Sequence, residues 1–136
     1  MSTPSASSLL EAARDAYAAA YVPYSEYPVG AAFLTEAGTV YTGTNIENAN
    51  FSNSLHAEEV ALSNAWMAAD REFVALAVAS AAGDGVTPCG MCRQTLIELC
   101  PASMPVYCGT GDGYEEHRLE TLIPAAISEE TLEDAA

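Results

Sequence analysis

Two thiols stand three residues apart in Cys89-Gly90-Met91-Cys92, directly after Pro88, where a short helix is expected to start. At a helix start both sulfurs can face one metal ion. A second predicted helix begins near His56, a further donor. Zinc takes imidazole and thiolate ligands, usually four, and a catalytic site keeps one position for water. A chain that places His56, Cys89 and Cys92 on one zinc must therefore fold with two helix N-termini side by side. Helix N-termini carry partial positive charge, which favours thiolates. Glu58 follows His56 by two residues, close enough to reach water at the metal without being a ligand. A carboxylate there can take a proton from water and return it to a substrate nitrogen. Singly, each feature has a plainer explanation: a structural His, a redox Cys pair, a solvated Glu. Together they favour a catalytic metal site.

The rest of the chain supplies elements to carry such a site. Ser8-Leu9-Leu10-Glu11 matches a capping box, and the Ala-rich stretch after it predicts a helix to about Ala20. Pro23 prevents its continuation. Val29 to Thr35 and Thr39 to Ile46 are β-type runs around Glu36-Ala37-Gly38, a predicted hairpin. Asn53 and Ser54 are good N-cap residues, so a helix is expected from Leu55 or His56 to about Ala69. Phe73 to Ser80 is a continuous apolar run of the kind that forms a buried central strand. After a Gly/Pro loop come a helix over Cys89–Cys100 and a short strand over Pro105–Cys108. A weak strand or helix is expected over His117–Ile123, and Ser128 opens a short acidic helix. Strands interleaved with helices imply an α/β layered domain with a mixed sheet.

Composition narrows the function. The 136 residues, 50% of them hydrophobic, predict one domain over 1–136 with a real core. No apolar run approaches the roughly 20 residues of a membrane span. Met1-Ser2-Thr3-Pro4-Ser5 has no basic region leading into an apolar block, so a cytoplasmic location is expected. Asp and Glu number 19, against four basic residues (Arg14, Arg71, Arg93 and Arg118), for a net charge of -15. Such a surface repels phosphate backbones and anionic membranes, so neither nucleic acid nor membrane is an expected partner. It also suggests a cytoplasm of high salt, where screening weakens self-repulsion. Cys100 and Cys108 stand apart in apolar surroundings and read as buried free thiols.

His56-Ala57-Glu58 with the later Pro88-Cys89-Gly90-Met91-Cys92 is the zinc deaminase pattern. The chain resembles the cytidine deaminase family over nearly its whole length. Four stretches carry the likeness: Pro23-Tyr24-Ser25 with Pro28-Val29-Gly30-Ala31-Ala32, Gly43-Thr44-Asn45-Ile46-Glu47-Asn48-Ala49, His56-Ala57-Glu58, and Pro88 through Gln94. Leu122-Ile123-Pro124 resembles the family's C-terminal motif. The resemblance implies a cytidine-deaminase-like three-layer α/β/α fold with a mixed five-stranded sheet. It implies one Zn2+ per subunit on His56, Cys89 and Cys92, and a short-form homotetramer with active sites near subunit interfaces. It implies hydrolysis of cytidine and deoxycytidine to uridine and deoxyuridine plus ammonia, a step of pyrimidine salvage. Glu58 would protonate N3 and help the amino group leave. Asn45 and Glu47 would bind the ribose, the Ala57 N–H would hold the base, and Tyr27 would pack near it.

Four positions depart from the short form, the first two as a pair. His56 replaces a usual Cys, and Glu59 a usual Arg. Three thiolates on zinc leave a negative core that an Arg can offset, whereas one His and two thiolates leave a neutral one. The two departures are thus mutually consistent. Tyr27 replaces a common Phe, and its hydroxyl needs a partner if buried. Ile127 stands where a neighbouring subunit usually offers a Phe. Other readings remain: a tRNA adenosine deaminase, a deaminase of another free pyrimidine such as blasticidin S, a zinc-stabilised scaffold, and a thioredoxin-like redox pair at Cys89 and Cys92. The charge opposes the first, and Pro88 with His56-Ala57-Glu58 does not suit the last.

Overall fold

The structure is a computed structural model and describes residues 4–134. Its centre is a mixed sheet of five strands: β1 (Val29–Thr35), β2 (Val40–Thr44), β3 (Phe73–Ser80), β4 (Pro105–Gly109) and β5 (Tyr114–Arg118). The spatial order is β2-β1-β3-β4-β5. Only β3 and β4 run parallel, with Val78 beside Cys108; the other neighbours are antiparallel. The helices are α1 (Ala6–Tyr17), α2 (Ala57–Met67), α3 (Gly90–Leu99), α4 (Leu119–Leu122) and α5 (Glu129–Asp134). Among the described residues no helix is long and apolar enough to cross a membrane.

Alternation along the strands builds two cores, one on each face of the sheet. Ala32 and Leu34 of β1 join Ala75, Ala77 and Ala79 of β3 against Leu9, Leu10 and Ala13 of α1. Ala31 and Phe33 join Leu76 and Val78 on the other face, under Ala57, Ala61 and Leu62 of α2 and Leu96 of α3. The result is the expected three-layer arrangement. Because both faces of β1 and β3 are covered, these strands read as unbroken apolar runs. Cys100 and Cys108 are buried in the second core, and burial pushes both thiols up to about 12.

Glycine sets how closely helix and sheet approach. A Cβ at Gly43 would lie 2.4 Å from the Ala61 nitrogen and 2.5 Å from the Ala57 oxygen. The bare backbone of β2 therefore lets the first turns of α2 rest on it, which fixes where Ala57 and Glu58 stand. Gly43→Ala has to push α2 away. We expect a loss of about 1–3 kcal/mol in urea unfolding, together with lower turnover. Wild-type stability in the variant would show that the contact is not limiting.

Local boundaries differ from expectation at several places, three of them with a clear cause. α1 starts at Ala6 rather than after Ser8, because Ser5 is the cap: its Oγ accepts the Ser8 N–H at 3.1 Å. It ends at Tyr17, short of Ala20. Asn53 and Ser54 do not cap α2. Asn53 closes a 3-10 turn over Phe51–Asn53, and the Ser54 hydroxyl accepts the Asn48 N–H. His56 itself is the N-cap, in extended conformation. The ambiguous His117–Ile123 segment divides: β5 ends at Arg118 and α4 follows at once.

Candidate metal centre and active site

The N-caps of α2 and α3 are His56 and Cys89. This brings the two helix starts together, as one metal would require. His56 Nδ1 lies 3.3 Å from the Sγ of Cys89 and 3.3 Å from the Sγ of Cys92. All three donor atoms lie within 4.8 Å of one another. Tetrahedral zinc with bonds of about 2.0–2.3 Å separates its ligand atoms by roughly 3.5 Å, so the spacing fits. Among the described residues no fourth His, Cys or carboxylate joins the group.

The donor chemistry points the same way. Burial pushes the Cys92 thiol well above the usual range, and the nearby Glu58 and Cys89 add to this. The start of α3 favours the thiolate, but burial among anionic neighbours outweighs it. A cation at the site reverses the balance, because coordination deprotonates a thiol outright. Glu59 uses its carboxylate to accept the His56 backbone N–H at 2.6 Å. It thereby satisfies a donor at the start of the helix that carries the ligand.

Glu58 is the only buried carboxylate among the described residues, at 6% exposure. It is thus not the solvated surface charge that a lone helical Glu usually is. Burial pushes its carboxyl up to about 7, with the neighbouring Glu59 adding to the shift. A cation beside it would pull the value back down. The carboxyl opens on a cavity of about 200 Å³, whose lining includes Asn45, Glu47, His56, Ala57 and Cys89. Ala57, the first residue of α2, offers a backbone N–H that has no partner within the helix.

Asn45 and Glu47 also hold the backbone around them. Asn45 Oδ1 accepts the Val29 N–H, and its Nδ2 donates to the Tyr27 carbonyl, both at 2.9 Å. One amide hydrogen and one lone pair remain. Glu47 Oε1 accepts the N–H groups of Tyr24 and Ser25 at 3.0 and 3.1 Å. Hydrogen bonding from Ser25 holds the Glu47 carboxyl below its ordinary value. Both side chains thus hold local backbone and also line the cavity.

The lining of this cavity does not include Tyr27. Its hydroxyl is taken by Asp84 instead. Ile127 is exposed, with its carbonyl held by Gln94. Arg93 has a part that sequence reasoning did not assign. Its guanidinium donates to the carbonyls of Pro88 and Leu122, both at 2.7 Å, and to the Thr87 hydroxyl at 2.9 Å. It therefore anchors the loop that delivers Cys89. Its hints in the sequence are its place directly after Cys92 and its membership of the Pro88–Gln94 stretch.

A buried carboxylate beside three zinc-type donors and an open cavity defines a metal-dependent hydrolytic site. Comparison with known proteins makes the class specific. The family profile described as cytidine and deoxycytidylate deaminase zinc-binding region matches residues 3–108. The cytidine deaminase of Sporosarcina psychrophila is 46% identical over 129 residues, covering 94% of this chain and 95% of its own. That of Halalkalibacterium halodurans is 42% identical over 127 residues, covering 93% and 96%. The crystal structure of cytidine deaminase from Burkholderia pseudomallei superimposes with a TM-score of 0.87 at 37% identity, covering 91% of this chain and all of that one. The chain belongs to the cytidine and deoxycytidylate deaminase family.

Proposed function

We propose that the chain deaminates cytidine and deoxycytidine to uridine and deoxyuridine, releasing ammonia, with zinc held by His56, Cys89 and Cys92. One observation carries the reading: Glu58, the sole buried carboxylate among the described residues, lines the same cavity as His56 and Cys89 of the ligand group. A structural zinc scaffold would close its fourth position with protein and would have no use for that carboxylate.

When bound, zinc supplies the Lewis acidity that makes water nucleophilic at neutral pH. Glu58 handles the protons. It takes one from the water attacking C4 and delivers it to N3 of the base. It then passes the second water proton to the departing amino group, leaving the 4-keto product and ammonia. Burial raises the proton affinity of this carboxyl and a neighbouring cation lowers it, and the opposed effects keep it able both to accept and to release a proton. The free Ala57 N–H holds the base. The remaining donor of Asn45 and the second oxygen of Glu47 hold the sugar hydroxyl. An ammonia-release assay on both nucleosides, with zinc quantified, tests the reading. A zinc-loaded protein that turns over neither nucleoside would overturn it.

Three further parts of the reading concern context. The assembly is a homotetramer whose active sites lie near subunit interfaces, for which the exposed Ile127 side chain is available. The enzyme works in the cytoplasm, in pyrimidine salvage, on free nucleosides. The acidic surface is suited to high salt. Among the described residues no Arg lies within 4.0 Å of a carboxylate, and the one His–carboxylate contact is His117 with Glu115 at 3.8 Å, so little local pairing offsets repulsion among the surface carboxylates. Screening by salt relieves that repulsion. The midpoint of thermal unfolding is therefore expected to rise between low and multimolar KCl. An unchanged midpoint across the series would sink the idea.

A further inference from the structure

β1 and β3 run antiparallel, and their last paired residues at one end are Val29 and Ser80. Beyond that pair the two chains part. One leads back through Pro28 to Tyr27, the other forward into the loop toward Cys89. Both contribute to the cavity, the first through Val29 and the second through Val86 and Thr87. The Tyr27 hydroxyl rejoins them by donating to the Asp84 carboxylate, 2.6 Å from Oδ2 and 2.8 Å from Oδ1.

Both partners are held for this bond. The Tyr27 carbonyl accepts from Asn45, and its N–H donates to the Ser25 hydroxyl at 3.1 Å. Asp84 stands between Gly83 and Gly85, whose φ angles of +60° and +71° lie in the left-handed region that glycine occupies at little cost. The Gly83 N–H donates to the Ser80 carbonyl and the Gly85 N–H to the Gly109 carbonyl, each at 3.0 Å. The Asp84 backbone itself bridges to Thr110 at the end of β4. A Cβ at Gly83 would meet the Gly111 Cα at 3.1 Å. The turn is thus braced on the sheet, with the carboxylate projecting to the phenol. An ordinary exposed Asp in a loop needs no such support.

We infer that Asp84 is a positioning residue for substrate binding: by holding the Tyr27 hydroxyl it sets the spacing of the two segments that flank the cavity. The inference rests on the deaminase reading above. It assigns Asp84 no contact with substrate and no part in proton transfer. Its removal therefore changes how well the nucleoside is held, while the chemistry at Glu58 continues.

Steady-state kinetics on cytidine test this, with Asp84→Ala, Asp84→Asn, Tyr27→Phe and the double variant Tyr27→Phe/Asp84→Ala. Zinc content and melting curves check that each variant is folded. Asp84→Ala and Tyr27→Phe should each raise KM by about five- to tenfold, the scale of a partly exposed hydrogen bond to a charged group, with kcat within about twofold. The double variant should be no worse than Tyr27→Phe, because both changes remove the same bond. Asp84→Asn keeps an acceptor oxygen and should recover most of the KM. Wild-type KM in Asp84→Ala, or additive effects in the double variant, would overturn the inference while leaving the deaminase reading intact. Wild-type protein that turns over no nucleoside would remove both.

Discussion

Glu58→Gln should lower kcat by about 10²–10⁴-fold, the range general acid–base catalysis typically supplies, while zinc stays stoichiometric. The glutamine amide has nearly the same shape but can neither accept the water proton nor deliver it to N3. His56, Cys89 and Cys92 are untouched, so metal content separates loss of proton transfer from loss of the site. Stability gives a second readout. Glu58 is buried with its carboxyl pushed up by desolvation, so its charged form is costly to the fold. In the metal-free protein the neutral amide removes that cost, and the metal-free variant is expected to melt at the same temperature as metal-free wild type or higher. Retention of wild-type turnover would take the proton away from Glu58.

Cys92→Ala should have the other large effect, of opposite character. Zinc falls below one per subunit after dialysis, activity disappears, and the melting temperature drops. A metal present at a thousand times its Kd contributes about 4 kcal/mol to stability, and losing a ligand removes most of it. Cys92 is also buried, so its loss leaves a small void besides. Cys89 is exposed. Cys89→Ala should therefore lose zinc to a similar extent with the smaller packing cost. Chelation of wild-type protein should reproduce the metal part of the loss without the packing part. Full zinc occupancy in both Cys variants would rule out this ligand set.

Much of the fold was legible because its signals are local. β1 and β3 have the predicted limits, Val29–Thr35 and Phe73–Ser80, since strands covered on both faces appear as apolar runs. The candidate site was legible because His, Cys and Glu at helix starts have few alternative uses in combination. Other features left weaker marks. Ser5 and Ser8 have the same capping chemistry three residues apart, and only backbone geometry chooses between them. β5 reads Tyr-Glu-Glu-His-Arg and lies at the sheet edge, where little burial imposes alternation. Asp84 and Arg93 act across long stretches of chain, on a phenol and on carbonyls. Such contacts have no periodicity. The expectation that Tyr27 packs near the base came from the family pattern, whereas its observed partner depends on a carboxylate 57 residues away.

The order in which the donors meet has a consequence for folding. Cys89 and Cys92 are neighbours on one turn and can grip a metal before any sheet exists. His56 joins them only when α2, β3 and the following loop have all been laid down in their native arrangement. The third donor thus turns metal retention into a check on chain topology. With the proposed ligand set, a partly folded chain would hold zinc by two thiols and surrender it readily, while the finished domain would hold it by three groups. Zinc binding of this kind selects the native state after the long-range pairing is complete, and does little to nucleate it.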